Sequence, residues 1–151
     1  MLYNKIQFYV SINNFVWTAL LIVGAATLTS NAFKSKQTYA VTGQFFCGDR
    51  SKPYANAEVK LYETGIKGSK EMMKNYTNGK GEFYITGSAK EFTSIDVVLK
   101  AFHDCNDGLK PCQRTLWMKL PDSHINSKTA FDIGSINLDA KFQEEYRDCV
   151  H

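Results

Sequence analysis

Ile95-Asp96-Val97-Val98-Leu99-Lys100-Ala101-Phe102-His103 alternates with a period of two. Successive side chains of an extended strand point to opposite faces. Ile95, Val97, Leu99 and Ala101 therefore share one face, and Asp96, Val98, Lys100 and Phe102 the other. Val98 and Phe102 make the second face apolar too, which predicts a strand at the centre of a sheet.

The same alternation recurs on both sides of this stretch, broken by turn residues. Residues 39–47 put Val41, Phe45 and Cys47 on one face and Thr42 and Gln44 on the other. A turn cluster spans residues 48–53. Ala57, Val59 and Leu61 then point inward, with Glu58 and Lys60 outward. A polar loop with Gly65 and Gly68 leads to a further strand over residues 72–77. Asn78-Gly79-Lys80-Gly81 has the composition of a hairpin turn, because Asn and Gly tolerate positive φ. Phe83 and Ile85 face inward beyond it. Residues 113–120 place Leu116, Met118 and Leu120 inward, with Arg114 on the same side near the strand end, and residues 131–138 form the last clear strand. Residues 141–147 suit at most one or two helical turns. Short strands at this spacing predict an all-β fold, an antiparallel β-sandwich of about seven strands.

The first 32 residues carry no Asp or Glu and one basic residue, Lys5. Their apolar run, residues 15–28, is shorter than the about 20 residues a spanning helix needs. Small residues follow, ending Ser30-Asn31-Ala32. This pattern predicts a signal peptide over residues 1–32, cleaved after Ala32 with Ala26 as the weaker site, and a domain over residues 33–151. The alternative, given the long and weakly basic start, is an uncleaved anchor. Past the leader, 17 basic residues face 15 acidic ones, a net +2. Without a basic run, this balance gives no electrostatic footprint for nucleic acid. Cys47, Cys105, Cys112 and Cys149 all follow the leader. An even cysteine count behind a signal peptide predicts two disulfides, of three possible connectivities, and a secreted, extracellular protein. No CxxC spacing suggests zinc.

Several segments resemble the nematode transthyretin-like family. They are Val41-Thr42-Gly43-Gln44-Phe45-Phe46-Cys47-Gly48, Val59-Lys60-Leu61-Tyr62-Glu63, Thr77-Asn78-Gly79-Lys80-Gly81-Glu82-Phe83 and Asp132-Ile133-Gly134-Ser135-Ile136-Asn137-Leu138. The most specific are Phe102-His103-Asp104-Cys105-Asn106-Asp107-Gly108 with Lys110-Pro111-Cys112-Gln113-Arg114, and Arg147-Asp148-Cys149. The likeness spans residues 39–149. It implies a transthyretin-like (prealbumin-like) sandwich, secretion and disulfides, and binding of a protein, cell surface or lipid rather than catalysis.

The candidate binding loop is His103, Asp104, Asn106 and Asp107. Rigidly held loops commonly carry recognition. The competing structural role is a tight turn in which Asp104, Asn106 and Asp107 cap backbone groups and Gly108 supplies positive φ. The oxygen ligands invite comparison with calcium sites, but the 12-residue calcium loop and its closing Glu are missing, so no metal and no cofactor are expected. The wider superfamily contains 5-hydroxyisourate hydrolases, whose sites use histidines, an arginine and a C-terminal Tyr-Arg-Gly-Ser. Here Tyr146-Arg147 is followed by Asp148-Cys149, the first strand has no His, and His103, His124 and His151 are scattered. A convergent acid–base constellation is thus absent from the pattern, and no enzyme is expected. Asn75-Tyr76-Thr77 is an N-glycosylation sequon. Its alternative is a strand-edge Asn buried by the neighbouring turn. Trp117, Phe46, Tyr62, Tyr84 and Phe102 fall on second faces, where they either pack under the sheet twist or form an apolar patch. The leading expectation is an extracellular binding or adaptor module. The alternatives are a carrier of a small hydrophobic ligand and, more remotely, the hydrolase.

Overall fold

The computed structural model describes residues 33–49, 51–65 and 68–150. The expected leader, residues 1–32, lies outside the described residues. Among them the alternating segments become β1 (Ser35–Phe46), β2 (Glu58–Gly65), β3 (Gly68–Tyr76), β4 (Glu82–Glu91), β5 (Asp96–His103), β6 (Gln113–Lys119), β7 (Phe131–Asn137) and β8 (Tyr146–Asp148), with a 3-10 turn at Asp122–His124. They form a three-stranded sheet, β4-β1-β7, and a five-stranded sheet, β3-β2-β5-β6-β8, in which β5 is the middle strand. Tyr39, Val41, Phe45, Phe83 and Ile85 from the first sheet pack on Val59, Leu61, Val97, Leu99 and Ala101 from the second. Burying each of these larger side chains contributes roughly 1.5–3 kcal/mol. No helix among the described residues is long and apolar enough to cross a membrane.

The two-sheet sandwich expected from the pattern is present, with four local differences. The Asn78 turn does not close a hairpin, because β3 pairs with β2 and β4 pairs with β1. The turn is closed by Gly81 N–H donating to Asn78 C=O and Asn78 N–H to Glu82 C=O, both 2.9 Å. Phe45 N–H then donates to Gly81 C=O at 2.8 Å, which steers the chain onto β1 in the opposite sheet. β1 and β7 pair in parallel; the other pairings are antiparallel. A parallel pair needs a long crossover, and most of the domain separates these two strands. Residues 141–147 form no helical turn. Tyr146 and Arg147 instead pair with Thr115 and Arg114 as the short strand β8, a tertiary contact that outweighs local propensity. Finally, Lys60 lies on the outer face as expected but is buried there. Glu58 (3.1 Å) and Glu71 (3.2 Å) pair with its ammonium, which also lies 5.6 Å from the centre of the Phe102 ring.

The second-face aromatics divide. Phe46 and Phe102 are buried, Tyr62 and Trp117 are half-buried, and Tyr84 is exposed. Lys100 covers Tyr62 and Tyr146, its ammonium 4.7 and 5.6 Å from the ring centres.

Candidate functional site

β5 ends at His103 and the chain turns sharply. Asp107 N–H donates to Asp104 C=O at 3.2 Å, and Asn106 (φ 49°) and Gly108 (φ 65°) adopt the left-handed conformation. Cys105 is buried and disulfide-bonded to Cys47 at the end of β1, so the loop is bolted to the other sheet. Cys112 ends the loop and is bonded to Cys149 just beyond β8. The pairing left open by the sequence is therefore Cys47–Cys105 and Cys112–Cys149.

The side chains of Asp104, Asn106 and Asp107 do not cap the loop's own turn; they reach other segments. Asp104 accepts from Gln113 Nε2 at 2.9 Å, and its backbone N–H donates to the Tyr54 hydroxyl at 2.9 Å. Asn106 Nδ2 donates to Asp139 at 2.7 Å. Asp107 is gripped by both terminal nitrogens of Arg147, which also donates to the Pro111 and Cys112 carbonyls. That grip holds the Asp107 carboxyl below its usual pKa. A second fork lies beneath it. Arg114 Nε and Nη2 donate to Glu145 at 2.6 and 2.8 Å, and Nη1 and Nη2 donate to the Cys105 and Ala140 carbonyls at 2.9 and 2.8 Å. Glu145 is pulled below the usual carboxylate range by that guanidinium. Such planar, bidentate pairs combine strength with fixed geometry. Loop and C-terminal segment thus form one rigid unit, around a hollow of about 340 Å³ that Lys110, Lys141 and Phe142 also line.

His103 is fully buried. Its Nδ1 accepts the Cys105 N–H at 3.3 Å, and its ring meets Tyr54 edge-on. Burial, then the positive charge of Arg114, pushes its pKa down to about 4, so it is neutral at ordinary pH. It is a structural part of the loop base. Asp104 and Asn106 are exposed; Asp107 is not. Among the described residues no group of three or more His, Cys, Asp or Glu is placed to hold a metal ion.

The pattern of alternation missed what the loop presents. Leu109 is fully exposed at the tip, next to exposed Lys110 and Pro111. The available signal was a lone apolar residue between Gly108 and Lys110-Pro111, too isolated to reach a core. The Arg114–Glu145 pair left no local signal, since its members lie 31 residues apart. Arg147, the residue shared with the hydrolase ending, is fully engaged with the loop. His103 and His124 are not brought together: His124 lies against Phe131, 4.9 Å between ring centres. Asn75 is exposed on β3, so the neighbouring turn does not bury it. Its Nδ2 donates to Tyr84 C=O at 2.8 Å and its Oδ1 accepts the Tyr76 N–H at 2.9 Å.

Fold and loop together define a small disulfide-stapled β-sandwich whose C-terminal segment locks the loop between β5 and β6. A sequence profile of the Transthyretin-like family matches residues 42–121. Transthyretin-like protein 33 of Caenorhabditis elegans is 43% identical over 121 residues, covering 76% of this chain and 83% of its own. Transthyretin-like protein 5 of that nematode is also 43% identical, over 76% of this chain and 86% of its own, and Transthyretin-like protein 2 is 35% identical over 87% and 95%. The chain belongs to the transthyretin-like family. A solved 9R-lipoxygenase from Cyanothece overlays 68% of this chain with 16% of its own, at a TM-score of 0.46 and 20% identity; nothing about activity follows from it.

Proposed function

We propose that this chain is a secreted, non-enzymatic binding or adaptor module that recognises an extracellular protein, cell surface or lipid through the loop between β5 and β6. In this reading residues 1–32 are a signal peptide removed on export, residues 33–151 are the mature domain, and Asn75 carries a glycan. One observation carries the reading: a loop with a disulfide at each end and a bidentate arginine across it holds Leu109 and Lys110 in solvent. Rigid presentation lowers the entropy lost on binding. Burying an exposed leucine in a partner is worth roughly 1.5–3 kcal/mol. Two disulfides suit an oxidising compartment.

The test is saturable binding of labelled protein to intact cells, protease-stripped cells, and zwitterionic or anionic phospholipid vesicles, comparing the unmodified protein with Leu109→Asp. Loss of saturable binding in the variant, at unchanged melting temperature, supports the loop. Equal binding by both proteins moves the site elsewhere, and an apolar ligand co-purifying with the protein favours the carrier alternative.

A further inference from the structure

A hollow of about 780 Å³ lies on the outer face of the three-stranded sheet. That is within the range of about 300–1,000 Å³ that holds small organic ligands. Its floor is two rows of side chains set by strand register: Tyr84, Thr42 and Asp132 in one, Glu82, Gln44 and Ser135 in the next. The floor is ordered before anything binds. Thr42 donates to Phe83 C=O at 3.0 Å, Gln44 Nε2 to Lys80 C=O at 2.9 Å, and Ser135 to Gln44 Oε1 at 3.1 Å. The exposed ring of Tyr84 (57%) rises from it, and Asn75 and Tyr76 of the neighbouring strand β3 stand at its border.

A floor of hydroxyls, amides and carboxylates beside the exposed Tyr84 ring suits a sugar, which presents hydroxyls at its edge and an apolar C–H face. We infer that the occupant is the inner part of the glycan carried by Asn75 itself, lying across Tyr84. The inference rests on the proposed secretion of the chain. Transfer from a lipid-pyrophosphate-linked oligosaccharide forms the Nδ2–C1 bond, breaks the C1–O bond to the departing pyrophosphate, and releases one Nδ2 proton. It must precede folding, because in the fold the Thr77 hydroxyl is buried, donating to Tyr54 C=O and accepting the Ala57 N–H. The glycosylated Nδ2 keeps one N–H, enough to retain the bond to Tyr84 C=O. That bond roots the sugar where β3 of one sheet packs along β4 of the other.

The test uses full-length protein secreted from eukaryotic cells as wild type, Tyr84→Ala and Tyr84→Phe, with peptide-N-glycosidase release timed under native and denaturing conditions. The expected result is native release at least tenfold faster from Tyr84→Ala than from wild type and Tyr84→Phe, with all three equal once denatured. Equal native rates overturn the seating. A secreted protein whose intact mass includes no glycan overturns the modification while leaving secretion standing. A protein that retains Met1 overturns the export reading beneath both. Nuclear Overhauser contacts between the first sugar and the Tyr84 ring in the unmutated glycoprotein would support the seating without any variant; their absence counts against the inference.

Discussion

Acidification to about pH 5 should weaken this domain through His103 well before its carboxylates protonate. In the unfolded chain this imidazole has its ordinary pKa of 6.5; in the fold, burial and Arg114 bring it down to about 4. The unfolded state therefore binds more protons between those values. Stability is constant above about pH 6.5 and falls as pH drops toward about 4. At about 1.4 kcal/mol for each pH step, the whole interval is worth about 3 kcal/mol, of which about 2 kcal/mol is lost by pH 5. Asp107 and Glu145 have lowered pKa values, so their contributions are lost only below the ordinary carboxylate range, and the window from about pH 7 to about pH 5 isolates the imidazole. The assay is urea unfolding across that window for wild type and His103→Gln, whose amide oxygen can still accept the Cys105 N–H. The variant should be less stable overall but nearly flat with pH. Parallel profiles, or a wild type with no fall, would refute the reasoning.

Reducing both disulfides should lower the melting temperature sharply. They close separations of 58 and 37 residues, each worth about 4 kcal/mol of unfolded-chain entropy, and an unchanged melting curve would show that the staples are dispensable. Arg114→Met should cost about 3 kcal/mol in urea unfolding, because it strands Glu145 and two carbonyls; a loss below about 1 kcal/mol would mean that the pair is solvated. Gly81→Ala should cost about 2 kcal/mol or more by the same assay. Its φ is +73° and an added methyl would meet the Phe45 carbonyl, so a neutral substitution would contradict the turn described.

What the chain makes legible is which way each side chain faces. Val41 and Phe45, Val59 and Leu61, Phe83 and Ile85, and Val97, Leu99 and Ala101 all point inward as their alternation predicts. Alternation says nothing about which strand lies alongside. The Asn78-Gly79 pair reads as a hairpin because turn chemistry is local, whereas the hydrogen bond from Phe45 that redirects β4 comes from far upstream. Tyr146 and Arg147 look like part of a helical turn for the same reason: their partners on β6 are remote. At the loop, the cysteines and acidic residues are visible as types. Their destinations are not, because Arg147 and Gln113 compete with the loop's own backbone for the carboxylates and win through charge and register. Lys60 marks the limit of the inside–outside rule: a charged residue stays buried when two carboxylates accompany it.

The parallel seat of β7 beside β1 also sets when the nascent chain can finish folding. β1 is among the first strands to leave the ribosome, yet one of its two flanks is filled only by residues 131–137. At about 5–20 residues per second, that flank stays open for on the order of ten seconds of translation. Long-range closure of this kind makes folding slow and leaves early strands exposed to wrong partners. Premature release short of β7 would thus yield a chain with an uncovered central strand, a substrate for chaperones rather than a smaller working domain.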